Sequence, residues 1–177
     1  MRTLIKNGLV VTAEASYEAD VVIVDGKIDA VSRHASGAIE TALAGLVADE
    51  TIDASGKYVV PGGIDGHTHF ELPFGGTFAK DTFETGTKAA AHGGTTTIVD
   101  FAVQTKGQAL REGLDVWMAK AAGNAVVDYG FHMIVTALSD QVEQEMDALV
   151  RQGVSSFKLF MAYPGVFMLD DASIFRA

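Results

Sequence analysis

Cysteine is absent from the 177 residues. That excludes disulfides, thiolate zinc sites and a cysteine nucleophile, and it fits a reducing, cytoplasmic compartment. Positive charge is also scarce: 13 Lys+Arg face 23 Asp+Glu, for a formal net charge of −10. A binder of phosphate backbones needs a basic face, and no Lys/Arg-rich window provides one, so nucleic acid is not expected as a partner. Long apolar runs are missing as well. No segment approaches the roughly 18 continuous apolar residues of a membrane span. The opening MRTLIKNGLVV does not read as a signal peptide, because Lys6, Asn7 and Gly8 interrupt its apolar stretch.

What is present is material for a core. Hydrophobic residues make up 48% of the chain, 19 glycines come on top, and only 20% of residues are charged. This balance suggests strands buried on both faces, or a surface that meets something outside the chain.

Residues 1–60 read as a small all-β unit. Leu4–Val11 has the look of strand, Asn7-Gly8 turn and strand. Asp20–Val24 is a β-branched run, Asp25-Gly26-Lys27 a hairpin turn, and Ile28–Val31 alternates. Residues 34–50 are unpatterned and read as a loop, with His34 a solvated member of it. Thr51–Ala54 and Lys57–Val60 flank Ser55-Gly56 as a second hairpin. Pro61-Gly62-Gly63 then marks a boundary, and strand–helix alternation begins. Strands are expected at Ile64–His69, Thr95–Phe101, Val126–Val135 and Ser155–Met161. A helix opens at Asp81–Glu84 with a capping-box look and closes at Gly93-Gly94. A second spans about Gln108–Ala122, with Leu110, Leu114, Trp117 and Ala121 on one face. Ser139 caps a third, whose apolar face is Val142, Met146, Leu149 and Val150, and Asp170–Phe175 starts a fourth.

The strand centres near Ile64, Thr97, Val127 and Phe157 are 33, 30 and 30 residues apart, the period of a βαβ unit. Residues 61–177 therefore hold four βα units. A closed (β/α)8 barrel needs eight, in about 250 residues. A doubly wound sheet could stop at four or five strands, but no Gly-rich phosphate loop follows the first one. The expectation is α/β architecture: the first half of a TIM barrel, in a chain that is the front portion of a longer protein.

Two motifs carry chemistry. In Gly63-Ile64-Asp65-Gly66-His67-Thr68-His69, alternate strand residues share a face, so Asp65, His67 and His69 point the same way at the C-terminal end of the first barrel strand. Two imidazoles about 6–7 Å apart along a strand can converge on one ion. The alternative is a pair of polar strand-end histidines whose tautomer Asp65 fixes. In Ser155–Gly165, Lys158 sits within an apolar strand, where burial lowers an amine's pKa. Either it pairs with a carboxylate or reaches solvent along its stem, or its neutral amine adds carbon dioxide to give a carbamate, which bridges two metal ions as a carboxylate does. Asp100 ends the second barrel strand and could orient a ligand. His92, at a helix end where a cation suits the dipole, and His132, mid-strand on the face of Asp128 and Gly130, read as structural.

GIDGHTHFELPFGGT, KAAAHGGTTTIVDF and SSFKLFMAYPG together resemble the dihydropyrimidinase/D-hydantoinase family of cyclic amidohydrolases, across the whole chain and over the N-terminal portion of such a protein. The resemblance implies that residues 1–60 form the N-terminal part of a β-sandwich domain and residues 61–177 the first four βα units of the barrel. It implies two Zn²⁺ ions per complete site. His67 and His69 would bind one, and carbamylated Lys158 would bridge to the other. Tyr163 would be catalytic, hydrogen-bonding substrate and polarising its carbonyl. Leu72, Phe74 and Phe160, with Tyr163, would bind substrate. Asp65 and Asp100 remain as residues that could orient the ligands. The family's two further metal-binding histidines and its catalytic aspartate lie on later strands and are not in this sequence.

The implied reaction is hydrolytic ring opening of a dihydropyrimidine or 5-substituted hydantoin to an N-carbamoyl amino acid. In it a zinc-bridging hydroxide would attack the ring carbonyl, and the absent aspartate would relay its proton to the leaving nitrogen. The partner is thus a small cyclic amide, and the full-length protein is expected to be a homotetramer. Rival readings are a non-catalytic amidohydrolase-like scaffold, disfavoured because both histidines and the lysine are kept, and an inactive truncated fragment. The 177 residues alone are expected to be inactive. Allantoinase is the alternative enzyme. Dihydroorotase is disfavoured because Leu72–Thr77 lacks the Arg or Asn that an orotate-like carboxylate wants.

Overall fold

In the computed structural model, which describes residues 1–34, 43 and 45–177, the chain forms two units, Met1–Pro61 and Gly62–Ala177. The first unit is a five-stranded sheet built on β1 (Arg2–Val11). β1 pairs antiparallel with β2 (Ser16–Val24), and β2 with β3 (Lys27–Arg33). Asp25 and Gly26, at φ 49° and 77°, make the β2–β3 turn, the positive-φ pair whose twist matches a hairpin. On the other side of β1, β4 (Glu50–Asp53) and β5 (Tyr58–Val59) both run parallel to it. Val10, Ala19 and Val21 form the buried apolar cluster.

Three expectations for this unit are corrected. Asn7-Gly8 is not a hairpin turn: β1 continues through it as a bulge. Asn7 takes φ 60°, the register slips between Ile5 and Gly8, and the Asn7 N–H leaves the ladder to reach the Asp20 carboxylate at 2.9 Å. Ser55-Gly56 does not join a hairpin either. Asp53 accepts from the Ser55 amide and hydroxyl, and the chain steps outward and returns to β1, so β4 and β5 lie in line along the same neighbour. His34 is not solvated. It is largely buried, with Nε2 2.9 Å from the buried Asp20 carboxylate. Of the loop expected over 34–50, residues 35–42 and 44 lie outside the described residues, and Glu50 already belongs to β4.

In the second unit, four parallel strands lie in the order β11-β10-β9-β6: β6 (Gly63–Thr68), β9 (Thr95–Val103), β10 (Asp128–Val135) and β11 (Phe157–Leu159). Helices α1 (Phe83–His92), α2 (Leu110–Ala121) and α3 (Asp140–Arg151) make the crossovers, and α4 (Asp171–Arg176) follows β11. Caps fix the helix starts. Thr82 accepts from the Thr85 amide while the Thr85 hydroxyl accepts from the Thr82 amide, and Ser139 and Asp170 accept from the third residue on. α2 lacks a side-chain cap of its own; Glu145 of α3 accepts the Leu110 N–H at 2.6 Å. Leu72–Thr77 contains more than loop: β7 (Pro73–Phe74) and β8 (Thr77–Phe78) form a small hairpin around Gly75 and Gly76, at φ 62° and 81°.

The pleat assigns each strand two audiences. Ile98, Ala102, Phe131, Met133 and Val135 turn to the helices and join Leu110, Leu114, Trp117 and Leu149 in the main core. Phe101 and Ile134 turn to the other face and cluster with Phe167. On α3, Val142 and Leu149 are buried, but Val150 is exposed, a correction to the expected stripe. Among the described residues, no helix is long and apolar enough to cross a membrane.

Candidate metal centre

The site is built at the C-terminal end of β6. The Asp65 carboxylate accepts the His67 backbone N–H at 3.0 Å, and the β6–β9 register slips between Asp65 and Thr68. Beyond the slip, Thr68 stands opposite Asp100. The Asp100 carboxylate is fully buried and accepts four hydrogen bonds: Thr68 Oγ1 at 2.9 Å, Phe70 N at 2.8 Å, Phe101 N at 2.7 Å and Trp117 Nε1 at 3.2 Å. Burial pushes its carboxyl above the ordinary carboxylate value, and the hydrogen bonds oppose that rise. Thr68 and Phe70 are both anchored there, so His69 is held from each side.

With that backbone fixed, the two imidazoles meet edge to face, with centroids 5.1 Å apart and Nε2 facing Nε2 at 3.2 Å. Two nitrogens on one tetrahedral zinc, each at about 2.0–2.1 Å, stand roughly 3.3 Å from each other. His69 Nδ1 is buried and has no partner. Burial, and then the nearby charge of Lys158, hold the His69 pKa below its ordinary value, which favours the neutral ring whose lone pair can bind a metal. Donor type and spacing both fit a metal ligand pair. Among the described residues no three His, Cys, Asp or Glu side chains gather around one point. The third group at this end of the sheet is a lysine.

Lys158 lies beside Ile134 in the β10–β11 register and faces the same side as the histidines. Its Nζ stands 4.4 Å from the centroid of Phe101 and 4.9 Å from that of Phe160. His69, Lys158 and Tyr163 line one cavity of about 240 Å³. Leu72, Phe74, Phe160 and Phe167 make its apolar wall. Tyr163 sits at φ 65°, a conformation that a bulky side chain rarely adopts. Its carbonyl accepts N–H bonds from Val166, Phe167 and Met168, and its ring packs against Phe74 and Phe160, with centroids 5.2 and 5.8 Å away.

The remaining sequence-derived candidates lie apart from this cavity. Asp65 is engaged with backbone and makes no bond to either imidazole. Asp100 holds the main chain beside His69 and makes no hydrogen bond to its ring. His132 shares the inner face, but both its nitrogens are used, Nδ1 with the Ser156 hydroxyl and Nε2 with the Gly66 carbonyl at 3.0 Å. His92 is exposed at the end of α1. Two residues that sequence reasoning missed are Phe167 and Phe101. Phe167 stacks on Phe160 at 5.1 Å and Phe74 at 6.0 Å. Phe101 touches both histidines. The alternation of β9 was the one signal for Phe101, since it puts residues 99, 101 and 103 on the inner face.

Residues 58–171 match the model of the amidohydrolase family. The chain is 60% identical over 176 residues to a D-hydantoinase of Streptomyces coelicolor, covering 99% of this chain and 37% of that protein. It is 50% identical over 179 residues to a D-hydantoinase of Geobacillus stearothermophilus, covering 99% and 36%. Its fold superposes with a TM-score of 0.87 on the crystal structure of a dihydropyrimidinase from Brevibacillus agri, at 46% identity, over 99% of this chain and 36% of that one. The chain thus spans little more than a third of the length of the proteins it matches.

Proposed function

This chain belongs to the amidohydrolase family, and from that premise we propose that its protein opens the ring of a cyclic amide, a dihydropyrimidine or a 5-substituted hydantoin, by metal-dependent hydrolysis to an N-carbamoyl amino acid. The observation that carries this reading is the convergence of His69, Lys158 and Tyr163 on one apolar-walled cavity, with His67 Nε2 3.2 Å from His69 Nε2. Identity to D-hydantoinases along 99% of the chain supports the substrate class.

In this reading His67, His69 and a carbamylated Lys158 would be the residues of this chain that hold the zinc ions. A zinc pair there would supply Lewis-acid activation of water and of the ring carbonyl. The chain's own residues do the rest. The Lys158 amine, once neutral, bonds through nitrogen to the carbon of CO₂ and releases a proton, which leaves a two-oxygen anionic ligand. Leu72, Phe74 and Phe160 receive the exocyclic substituent and exclude water from it. The Tyr163 phenol donates to the carbonyl oxygen as negative charge develops on it. The apolar wall of Leu72, Phe74, Phe160 and Phe167 offers no charge or amide to a substrate carboxylate, which favours a neutral ring.

The same reading makes residues 1–60 the N-terminal part of a β-sandwich domain and residues 61–177 the first four βα units of a (β/α)8 barrel. The remaining metal ligands and the acid/base carboxylate then lie beyond residue 177, and the whole protein is a cytoplasmic homotetramer. The test uses the full-length protein with 5-phenylhydantoin, dihydrouracil and allantoin. The expected result is N-carbamoyl product from one of the first two, abolished by chelator and by His67→Ala. Ring opening that survives both treatments would refute the reading, and preferential opening of allantoin would make the enzyme an allantoinase.

A further inference from the structure

A histidine that binds metal through one ring nitrogen is ordinarily aimed by a hydrogen bond from the other. Among the described residues neither member of this pair has one. His69 Nδ1 is buried without a partner, and among the described residues the ring of His67 is hydrogen-bonded only to that of His69. Yet the two Nε2 atoms stand at ligand spacing. What both rings do share is Phe101. Its centroid lies 4.6 Å from that of His67 and 4.8 Å from that of His69. The third imidazole, His132, is 4.7 Å away, and the Lys158 Nζ is 4.4 Å away.

Phe101 is itself immobilised. It is 6% exposed and packs with Ile134 and Phe167. Its N–H is bound by the Asp100 carboxylate, which also anchors Thr68 and Phe70 on the neighbouring strand. One dipeptide of β9 therefore fixes the site twice. Asp100 faces the helices and holds the main chain around His69, while Phe101 faces inward and holds the rings.

We propose that Phe101 is a positioning residue whose ring is the surface against which His67 and His69 are set at metal-binding spacing. It touches neither substrate nor reacting atoms in this role. The inference rests on the reading of His67 and His69 as metal ligands.

The experiment measures zinc affinity by chelator competition in the full-length protein, for wild type, Phe101→Leu and His67→Ala, together with the thermal midpoint of each metal-free protein and the visible spectrum of its cobalt-substituted form. Phe101→Leu keeps apolar volume and removes the flat face. It is expected to weaken zinc binding by about 10–100-fold, as losing a ligand-orienting group does. The cobalt bands should shift, and KM for an unsubstituted hydantoin should stay within about twofold. If Phe101→Leu does not fold, Phe101→Met fills the space with a flexible chain and carries the same expectation. Wild-type zinc affinity and an unchanged cobalt spectrum in the folded variant, whatever its thermal midpoint, would overturn the inference while leaving the metal reading intact. Zinc binding unaffected in His67→Ala would overturn both.

Discussion

Replacing Asp100 with asparagine tests whether one buried carboxylate holds the end of β6. Four donors converge on its two oxygens: the Thr68 hydroxyl, the Phe70 and Phe101 amides and the Trp117 indole. Asparagine keeps one acceptor oxygen and turns an NH₂ group toward the other donors. The Thr68 hydroxyl rotates and accepts from it, which leaves one or two N–H groups buried without an acceptor. At about 1–3 kcal/mol each, less the relief of no longer burying a charge, Asp100→Asn should cost about 2–4 kcal/mol. The pH dependence sharpens the test. The folded carboxyl titrates above 3.8, so the folded state binds this proton more tightly than the unfolded chain does. The resulting contribution is fully present below about 3.8 and is lost as pH rises through the folded value. An amide makes no such contribution, so the lead of wild type over the variant should widen on acidification. Urea unfolding of the metal-free full-length proteins at pH 7 and at successive steps down toward pH 4 measures both. A deficit under about 0.5 kcal/mol, well below the cost of one orphaned donor, or a lead that narrows in acid, would refute the account of Asp100 as the clamp.

Other expectations are simpler to state. Gly113 lies where α2 meets β9, and a Cβ there would come 2.6 Å from the Val103 carbonyl oxygen and 2.9 Å from Met133 Cε. Gly113→Ala should therefore lower the urea midpoint, equivalent to about 1–2 kcal/mol, despite the better helix propensity of alanine. Phe74→Ala removes a cavity wall that stacks on Phe167 and meets Tyr163 edge to face. It should raise KM for a 5-aryl hydantoin roughly tenfold while leaving turnover of unsubstituted hydantoin near wild type. Burial and Lys158 hold the His69 pKa below 6.5, so the stability this ring contributes is present above that value and is lost as pH falls toward the folded one. Metal-free wild type should weaken between pH 7.5 and 5.5 more than His69→Gln does, as read from urea midpoints.

The parts of this fold legible in sequence are those set by repetition. Strand centres about thirty residues apart, a helix opening at Asp81–Glu84 and a cap at Ser139 depend on local spacing, and the structure places elements there, with Thr82 and Thr85 making the cap of the first helix. The misread parts share a cause. Asn7-Gly8 and Ser55-Gly56 both signal a departure from regular extension, but a turn and a bulge ask for the same residues. Only the partner strand, tens of residues away, decides between them. His34 looked solvated because Asp20, its partner across fourteen residues, cannot be paired with it by pattern. At the candidate site, polar residues in an apolar strand stood out at once, so His67, His69 and Lys158 were visible. Phe101 was not, because an apolar residue in a strand looks like core whichever face it serves.

The alternation along β9 has a consequence for how this protein can change over generations. Successive side chains answer to different constraints. Ile98, Asp100 and Ala102 sit against the helices, where almost any replacement opens a gap or strands a donor. Phe101 faces the inner cluster with Ile134 and Phe167, and Val103 packs against it. A lineage can therefore retune the chemistry by substituting every second residue while the intervening ones keep the scaffold intact, so exploration and robustness are interleaved on a single strand nine residues long.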